Sequence, residues 1–142
     1  CLKPIDIKDD YVFASEKTIS GETHITSGII KTPPKSEFSK FCYDFCCEQN
    51  KETLEWGTVG PRLVGKGVNH LNLQDKVKNW KLFNPIGFEQ IGMFFDEAFG
   101  NIDLSESYTV HLWNEMWRRY NFNKNKTYDE NCLFEKLKAK YL

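Results

Sequence analysis

The sequence contains no apolar run long enough to cross a lipid bilayer. A membrane-spanning helix needs about 20 consecutive apolar residues, and charged residues, which form 27% of the chain, interrupt every apolar stretch before that length. No segment at the start combines basic residues with an apolar core in the manner of a secretion signal. We therefore expect these residues to fold in water, with no transmembrane segment.

An excess of one charge is also missing. The chain carries 19 Lys and Arg residues against 20 Asp and Glu residues, and the two kinds are intermixed along it. A surface that binds nucleic acid normally concentrates basic residues on one face. The charge distribution therefore argues against nucleic acid as a partner.

Cysteines at the spacing of a metal or redox site are absent as well. The chain has 5 cysteines, an odd number, and no Cys-x-x-Cys pair of the kind that zinc and redox sites use. We expect free, buried thiols in a reducing compartment, which favours a cytoplasmic location. The residues concerned are Cys1, Cys42, Cys46, Cys47 and Cys132.

Aromatic residues, by contrast, are abundant at 15% of the chain. They supply large contact areas for a core, and they also suit flat ligands such as sugar rings. At 142 residues the chain is long enough for one domain, without repeats or linkers, so residues 1–142 are predicted to form a single unit. Because the chain opens with Cys1 in an apolar context, we expect it to continue an upstream sequence.

Strand-like and helix-like patterns alternate, which predicts an α/β fold with a small sheet. Short β-rich runs predict strands, and apolar residues three and four apart predict helices. Ser36 is placed as an N-cap, Pro61 as a first helical residue, and Gly100 as a helix stop. The predicted strands are 11–15, 24–30, 77–85 and 107–113, and the predicted helices are 36–50, 61–71, 88–98 and 132–142.

A histidine in an apolar run is the first candidate for chemistry. His111 is followed by Trp113 and Asn114 in "VHLWN". An imidazole can bind a divalent cation, although Mg²⁺ or Mn²⁺ would also need carboxylates, and none lies nearby in the sequence. From the pattern alone, a packed core histidine is the favoured explanation.

Two glycine-containing segments are candidates for contact with a ligand. Gly60 and Pro61 open a predicted helix whose first N–H groups could hold an anion or a hydroxyl, or they form a simple turn. Thr26, Ser27 and Gly28 end a predicted strand, where the glycine allows close approach of a sugar or marks a β-bulge.

Two carboxylates are candidates for a catalytic role. Glu16 follows the first predicted strand, and Glu55 precedes "WGTVGP". Either side chain could accept a hydrogen bond from a substrate hydroxyl or act as a base or nucleophile. Solvated surface carboxylates are the alternative for both.

The order of several segments resembles the C-terminal part of the DXD-type sugar transferases. These segments are "CLKPID", "FASE", "TSGIIKTPP", "WGTVGPRLV", "SYTVHLWNEMWRR" and "CLFEKLKAKYL". The nearest group is the α-1,4-galactosyltransferase-like and capsular-polysaccharide-type glycosyltransferases. The resemblance implies the C-terminal part of a GT-A, Rossmann-like fold. It also implies a Gly-Gly-x-Tyr-x-Asp-x-Asp motif immediately before Cys1, whose acidic pair binds the cation.

The same resemblance assigns roles to the candidate residues. His111 becomes a ligand of Mn²⁺ or Mg²⁺, and Trp113, beside Asn114, a donor to the leaving diphosphate. The segment Thr26, Ser27 and Gly28 faces the donor sugar, although Thr26 stands where an asparagine is often found. Gly60 and Pro61 lie near the donor sugar or the acceptor. No catalytic nucleophile is assigned.

The predicted function is therefore the metal-dependent, retaining transfer of a hexose from a nucleotide-sugar to a glycan or glycolipid. Without the upstream acidic motif, we expect these residues alone to have little activity. A non-catalytic carbohydrate-binding or interaction module is the alternative, and a metal-free structural domain with a sealed His111 is another. The intact protein is expected in the cytoplasm, in association with a membrane, or in the Golgi lumen of a eukaryote.

Overall fold

The computed structural model describes residues 1–142 and contains one hairpin and four α-helices. The strands are β1 (Val12–Lys17) and β2 (Thr23–Lys31). The helices are α1 (Glu37–Glu48), α2 (Pro61–His70), α3 (Asn114–Arg119) and α4 (Leu133–Tyr141). Four 3₁₀ turns lie between α2 and α3, at Gln74–Lys76, Trp80–Leu82, Phe88–Phe94 and Glu97–Phe99. The prediction of a mixed α/β fold with a small sheet is confirmed.

The two strands pair in antiparallel fashion with an irregularity in the middle of β2. Phe13 pairs with Ile30, but Ser15 pairs with Ile25. Only Ala14 separates the two β1 residues, whereas residues 26–29 separate their partners, so β2 bulges between them. The candidate segment Thr26–Gly28 therefore lies at a break in the ladder.

Helices α1 and α2 begin where the sequence predicts and cover one side of the hairpin. The Ser36 hydroxyl accepts a hydrogen bond from the Ser39 N–H at 3.2 Å, and Pro61 is the first residue of α2. A Cβ on Gly67 would lie 2.8 Å from the Phe38 ring, so α2 approaches α1 closely at this glycine. The buried residues shared by these elements are Phe13, Phe38, Val64 and Val68.

Two further apolar clusters complete the core. Val12 and Ala14 pack with Phe83 on the opposite side of β1. The C-terminal cluster is richer in aromatic rings, and Phe95 contacts five of them: Phe94, Trp117, Phe122, Tyr128 and Phe134. The buried members of this cluster are Ile86, Ile91, Phe94, Trp117, Cys132, Leu133 and Phe134.

The predicted strand over 77–85 is wrong. Val77 forms a single parallel bridge with Phe13, and the chain then turns through Trp80–Leu82. The Asn79 side-chain oxygen accepts the Lys81 N–H at 3.0 Å and caps that turn. An asparagine that bonds to nearby backbone in this way competes with strand formation.

The predicted strand over 107–113 is wrong for a related reason. No ladder forms here: one backbone bond, from the Tyr108 N–H to the Leu82 carbonyl at 2.8 Å, is flanked by two hydroxyl bonds. Ser107 Oγ donates to the Lys81 carbonyl at 2.7 Å, and Thr109 Oγ1 donates to the Phe83 carbonyl at 2.7 Å. The predicted α-helix over 88–98 is replaced by two 3₁₀ turns, because Asp96 caps a second turn by accepting the Ala98 N–H at 2.9 Å.

All five cysteines are free, as predicted, but the expectation that they are buried holds only for Cys132. Cys1, Cys46 and Cys47 are exposed. None of the helices is both long and apolar enough to span a membrane.

Candidate functional site

The bulged part of β2 and the start of α2 lie side by side. A Cβ placed on Gly60 would lie 3.8 Å from the Ser27 hydroxyl oxygen. Gly60 is the N-cap of α2 and offers no side chain to its first N–H groups. The fold thus brings together two candidate segments that are far apart in the sequence.

The Thr26 hydroxyl is buried without a hydrogen-bond partner. Thr26 is only 8% exposed, and its Oγ1 atom has no partner in the protein. Ser27 and Gly28, on the same bulge, are exposed. A buried hydroxyl without a partner is costly to the fold, so its presence beside exposed residues marks a place where a ligand could supply the missing bond.

Glu16 presents a second polar atom without a partner. It pairs across the hairpin with His24, and its Oε2 atom is buried with no hydrogen bond. Burial raises the pKa of this carboxyl, nearby Glu89 raises it further, and His24 lowers it. Thr26 begins the bulge directly after Ile25, the partner of Ser15, and so lies two residues along β2 from the Glu16–His24 pair.

Glu55, the second candidate carboxylate, is exposed and paired, whereas Glu16 is partly buried and has an oxygen without a partner. The Glu55 carboxylate bonds to the Arg62 guanidinium at 2.9 Å, which joins the α1–α2 loop to α2. No hydrogen bond or ion pair links Glu55 to Glu16. A solvated and paired carboxylate of this kind has no property that suits it to proton transfer.

His111 is exposed and makes no hydrogen bond. Its ring lies edge-on to Trp113, with 3.9 Å between ring centroids. The contact partly covers the imidazole, and this desolvation lowers its pKa. The sealed histidine of the structural-domain alternative is therefore not observed.

A metal site cannot be completed from these residues. No group of three or more His, Cys, Asp and Glu side chains lies close enough to hold an ion. The neutral, exposed imidazole of His111 fits the role of one ligand. The carboxylates that Mn²⁺ or Mg²⁺ prefers would have to come from other residues.

Trp113 has a constrained backbone and a committed N–H. Its φ of 50° and ψ of 47° lie in the left-handed region, which is unfavourable for a tryptophan. The indole N–H donates to the Ile86 carbonyl at 2.8 Å. In this conformation only the ring of Trp113 is free to contact a ligand, while Asn114, the first residue of α3, is exposed.

Trp56, in the segment "WGTVGPRLV", is not among the candidate residues that the sequence indicates. Its side chain is 86% exposed, in the loop that leads into Gly60. Exposure of a tryptophan cannot be inferred from a loop sequence without the fold. The only available signal is its position one residue before Gly57.

Comparison with known families decides the class of the protein. Residues 32–141, more than three quarters of the chain, match the family model described as the alpha 1,4-glycosyltransferase conserved region. The chain belongs to this glycosyltransferase family. No curated protein and no solved structure matches it.

The matched segment includes only part of the candidate site. Gly60, Pro61, His111 and Trp113 lie within residues 32–141 of the glycosyltransferase match, as do Glu55 and Asn114. Glu16 and the bulge at Thr26–Gly28 precede the segment. A role for the hairpin residues in the site therefore rests on the geometry of the fold and not on the family match.

Proposed function

We propose that residues 1–142 form the C-terminal part of a GT-A, Rossmann-like catalytic domain. This domain would transfer a hexose from a nucleotide-sugar to a glycan or glycolipid acceptor, with retention of configuration. Membership of the glycosyltransferase family supports the reaction class. The observation that carries the site is the unpartnered Glu16 oxygen on the hairpin whose Ser27 adjoins Gly60.

The hairpin and the start of α2 would bind the sugars. Thr26, Ser27 and Gly28 would face the donor sugar, and Gly60 and Pro61 would lie near the donor sugar or the acceptor. Sugar hydroxyls can donate to the Thr26 and Glu16 oxygens, which have no partner in the protein. Each such bond would remove a desolvation penalty that the fold carries in the absence of substrate.

Glu16 is the preferred carboxylate for a direct role in the reaction. Its raised pKa suits a group that accepts a proton or a hydrogen bond from an attacking hydroxyl. Glu55 is disfavoured because Arg62 already occupies its carboxylate. The nucleophile of a retaining mechanism stays unassigned.

A divalent cation, Mn²⁺ or Mg²⁺, is part of the proposal. His111 would supply one ligand, and an acidic pair preceding Cys1 would supply the others. When bound, the cation would offset the negative charge that develops on the leaving diphosphate. The ring of Trp113 and the exposed amide of Asn114 would border the same region.

The test compares three Glu→Gln variants in a protein that also carries the residues preceding Cys1. Glu16→Gln should lower kcat/KM for nucleotide-sugar transfer by about a hundredfold or more, as expected when a general base or a bond to the transition state is lost. Glu48→Gln makes the same change at an exposed carboxylate on α1 and should leave kcat/KM unchanged within about threefold.

Glu55→Gln decides between the two sequence candidates. A loss confined to Glu55→Gln would transfer the role from Glu16 to Glu55. The absence of turnover by the unsubstituted protein, with any nucleotide-sugar and Mn²⁺, would contradict the transferase proposal itself. Residues 1–142 alone should show little turnover.

The metal proposal is tested separately by removal of the ion. EDTA should abolish turnover, and Mn²⁺ should restore it. His111→Ala should raise the Mn²⁺ concentration required for half-maximal activity by about tenfold or more, because one ligand is lost. An unchanged Mn²⁺ requirement would remove His111 from the site.

A further inference from the structure

Trp56 is the one tryptophan that the fold leaves almost fully in water. Its side chain is 86% exposed, whereas Trp117 is 4% exposed and Trp80 and Trp113 are half-buried. An indole has a large apolar surface that gains free energy when it is covered. The packing of this chain does not explain why the Trp56 indole is exposed.

The loop that carries Trp56 is fixed by hydrogen bonds. The Thr58 N–H donates to the Glu55 carbonyl at 3.2 Å and closes a turn with Trp56 at its second position. Gly57 occupies the third position with φ of 82°, a conformation that favours glycine. The Gly57 carbonyl accepts from the Gly60 N–H at 3.2 Å and from the Arg62 N–H at 3.3 Å, which ties the turn to the start of α2.

This arrangement holds Trp56 next to the candidate sugar site. The same few residues that present the indole also present Gly60, whose Cβ position lies 3.8 Å from the Ser27 oxygen. Trp56 thus lies four residues before Gly60, in a loop whose backbone bonds connect it to the start of α2.

The surroundings of Trp56 favour a sugar over a membrane or a protein. Residues 50–62 carry two basic and two acidic side chains, Lys51, Arg62, Glu52 and Glu55, so their charge sums to zero and offers no attraction to anionic lipid. Within residues 50–62 the other exposed large apolar side chains are Leu54 and Val59. Three such side chains are far fewer than the roughly 20 to 30 residues that each side of a stable protein interface contributes.

We propose that Trp56 is the platform on which a pyranose ring of the acceptor glycan stacks. The apolar face of a pyranose matches an indole in size and requires no charge, while polar groups at the rim of the ring remain solvated. The inference rests on the proposed transferase function. It adds a binding subsite for an acceptor sugar outside the Thr26–Gly28 and Gly60–Pro61 segments.

Binding is tested first without any catalytic step. Lactose, maltose and cellobiose are titrated into the protein, and the four indole N–H signals are followed by ¹⁵N NMR, with Trp56→Phe used to assign the Trp56 signal. At least one disaccharide should shift the Trp56 signal in a saturable manner. If none of the three shifts it, or if the signal is already shielded from solvent in the intact protein without sugar, the proposal is overturned.

Turnover then separates the acceptor role from the donor role. Trp56→Ala should raise the acceptor KM by about tenfold and leave donor hydrolysis in the absence of acceptor unchanged, and Trp56→Phe should recover most of the loss. Tyr43→Ala removes another exposed aromatic ring, on α1, and should change neither value. An effect of Trp56→Ala on the donor KM alone, or on neither KM, would overturn the acceptor subsite.

A matched pair of glycine variants tests whether the turn must hold the Trp56 indole in its exposed position. Gly57→Ala should disturb the turn and raise the acceptor KM, because its φ of 82° strains an alanine although no atom blocks the new Cβ. Gly21→Ala imposes the same strain at φ of 91° in the hairpin turn, also without a clash, and should not change the acceptor KM. Equal effects of the two substitutions would count against the subsite. Failure of the transferase proposal would instead appear as no turnover by the unsubstituted protein.

Discussion

The hairpin side of the molecule and its C-terminal region treat their polar groups in opposite ways. In the C-terminal region the Trp113 N–H bonds to Ile86 and the Glu115 carboxylate bonds to both Arg118 and Arg119. On the hairpin, Glu16 and Thr26 each bury an oxygen atom without a partner. Two of the three buried side-chain atoms without a partner therefore lie on the hairpin.

One atom in the C-terminal region departs from this contrast. The Trp117 indole N–H also lacks a partner, but Trp117 is 4% exposed and lies within the aromatic cluster. Its neighbours there are apolar. The hairpin oxygens have different surroundings, because Thr26 is followed by the exposed Ser27 and Gly28, and Glu16 pairs with the exposed His24.

The difference between partnered and unpartnered buried hydroxyls predicts opposite stability changes for two deletions on the hairpin. Ser15→Ala removes a buried hydroxyl that donates to the Lys78 carbonyl at 2.7 Å and should lower the free energy of unfolding by about 1 kcal/mol. Thr26→Val removes a buried hydroxyl without a partner and keeps the shape of the side chain, so it should raise that free energy by about 1 kcal/mol. Urea denaturation of the variants measures both changes.

The same Thr26→Val variant should lose transferase activity if the hydroxyl contacts the donor sugar. A gain in stability together with a loss in kcat/KM is the expected result where a fold tolerates a cost for function. If Thr26→Val is destabilised as much as Ser15→Ala, the Thr26 hydroxyl has a hydrogen-bond partner in the protein. Thr26 would then no longer distinguish the hairpin from the C-terminal region.

The local structure of the hairpin and of α1, α2 and α4 could be predicted from the sequence. These elements follow from short-range signals: β-rich runs, the Ser36 cap, Pro61 and apolar residues at helical spacing. The adjacency of Ser27 and Gly60 depends on the packing of α2 against β2. The family resemblance indicated both segments, but only the fold shows that they meet.

The segments between α2 and α3 could not be predicted, because isolated backbone bonds and side-chain bonds hold them without a strand ladder. Ser107, Thr109 and Asn79 bond to backbone groups, and the alternating apolar pattern then occurs without a sheet. The alternation of apolar and polar residues in the sequence does not reveal such side-chain bonds. The difference between Glu16 and Glu55 is likewise invisible in the sequence, since it depends on burial and on Arg62.

A weaker effect that sharpens the comparison is the pH dependence of two carboxyls. Burial raises the pKa of Glu16 in the folded state, so the folded state binds its proton more readily than the unfolded state. Hydrogen bonds from Arg118 and then Arg119 lower the pKa of Glu115 to about 2. Ionised Glu16 therefore destabilises the fold at neutral pH, whereas ionised Glu115 stabilises it.

At neutral pH, Glu16→Gln should therefore have a higher Tm than the unsubstituted protein, and Glu115→Gln should have a lower Tm. The Glu16 difference should vanish as the pH falls through the raised folded pKa to the ordinary carboxyl range, because both states are then protonated. The Glu115 difference should begin to fall below the ordinary carboxyl range and vanish only as the pH approaches about 2. Thermal denaturation between neutral pH and about pH 2 measures both trends. If Glu16→Gln instead lowers the Tm at neutral pH, the Glu16 carboxylate has a hydrogen-bond partner within the fold. The contrast between the hairpin and the C-terminal region would then not hold for Glu16.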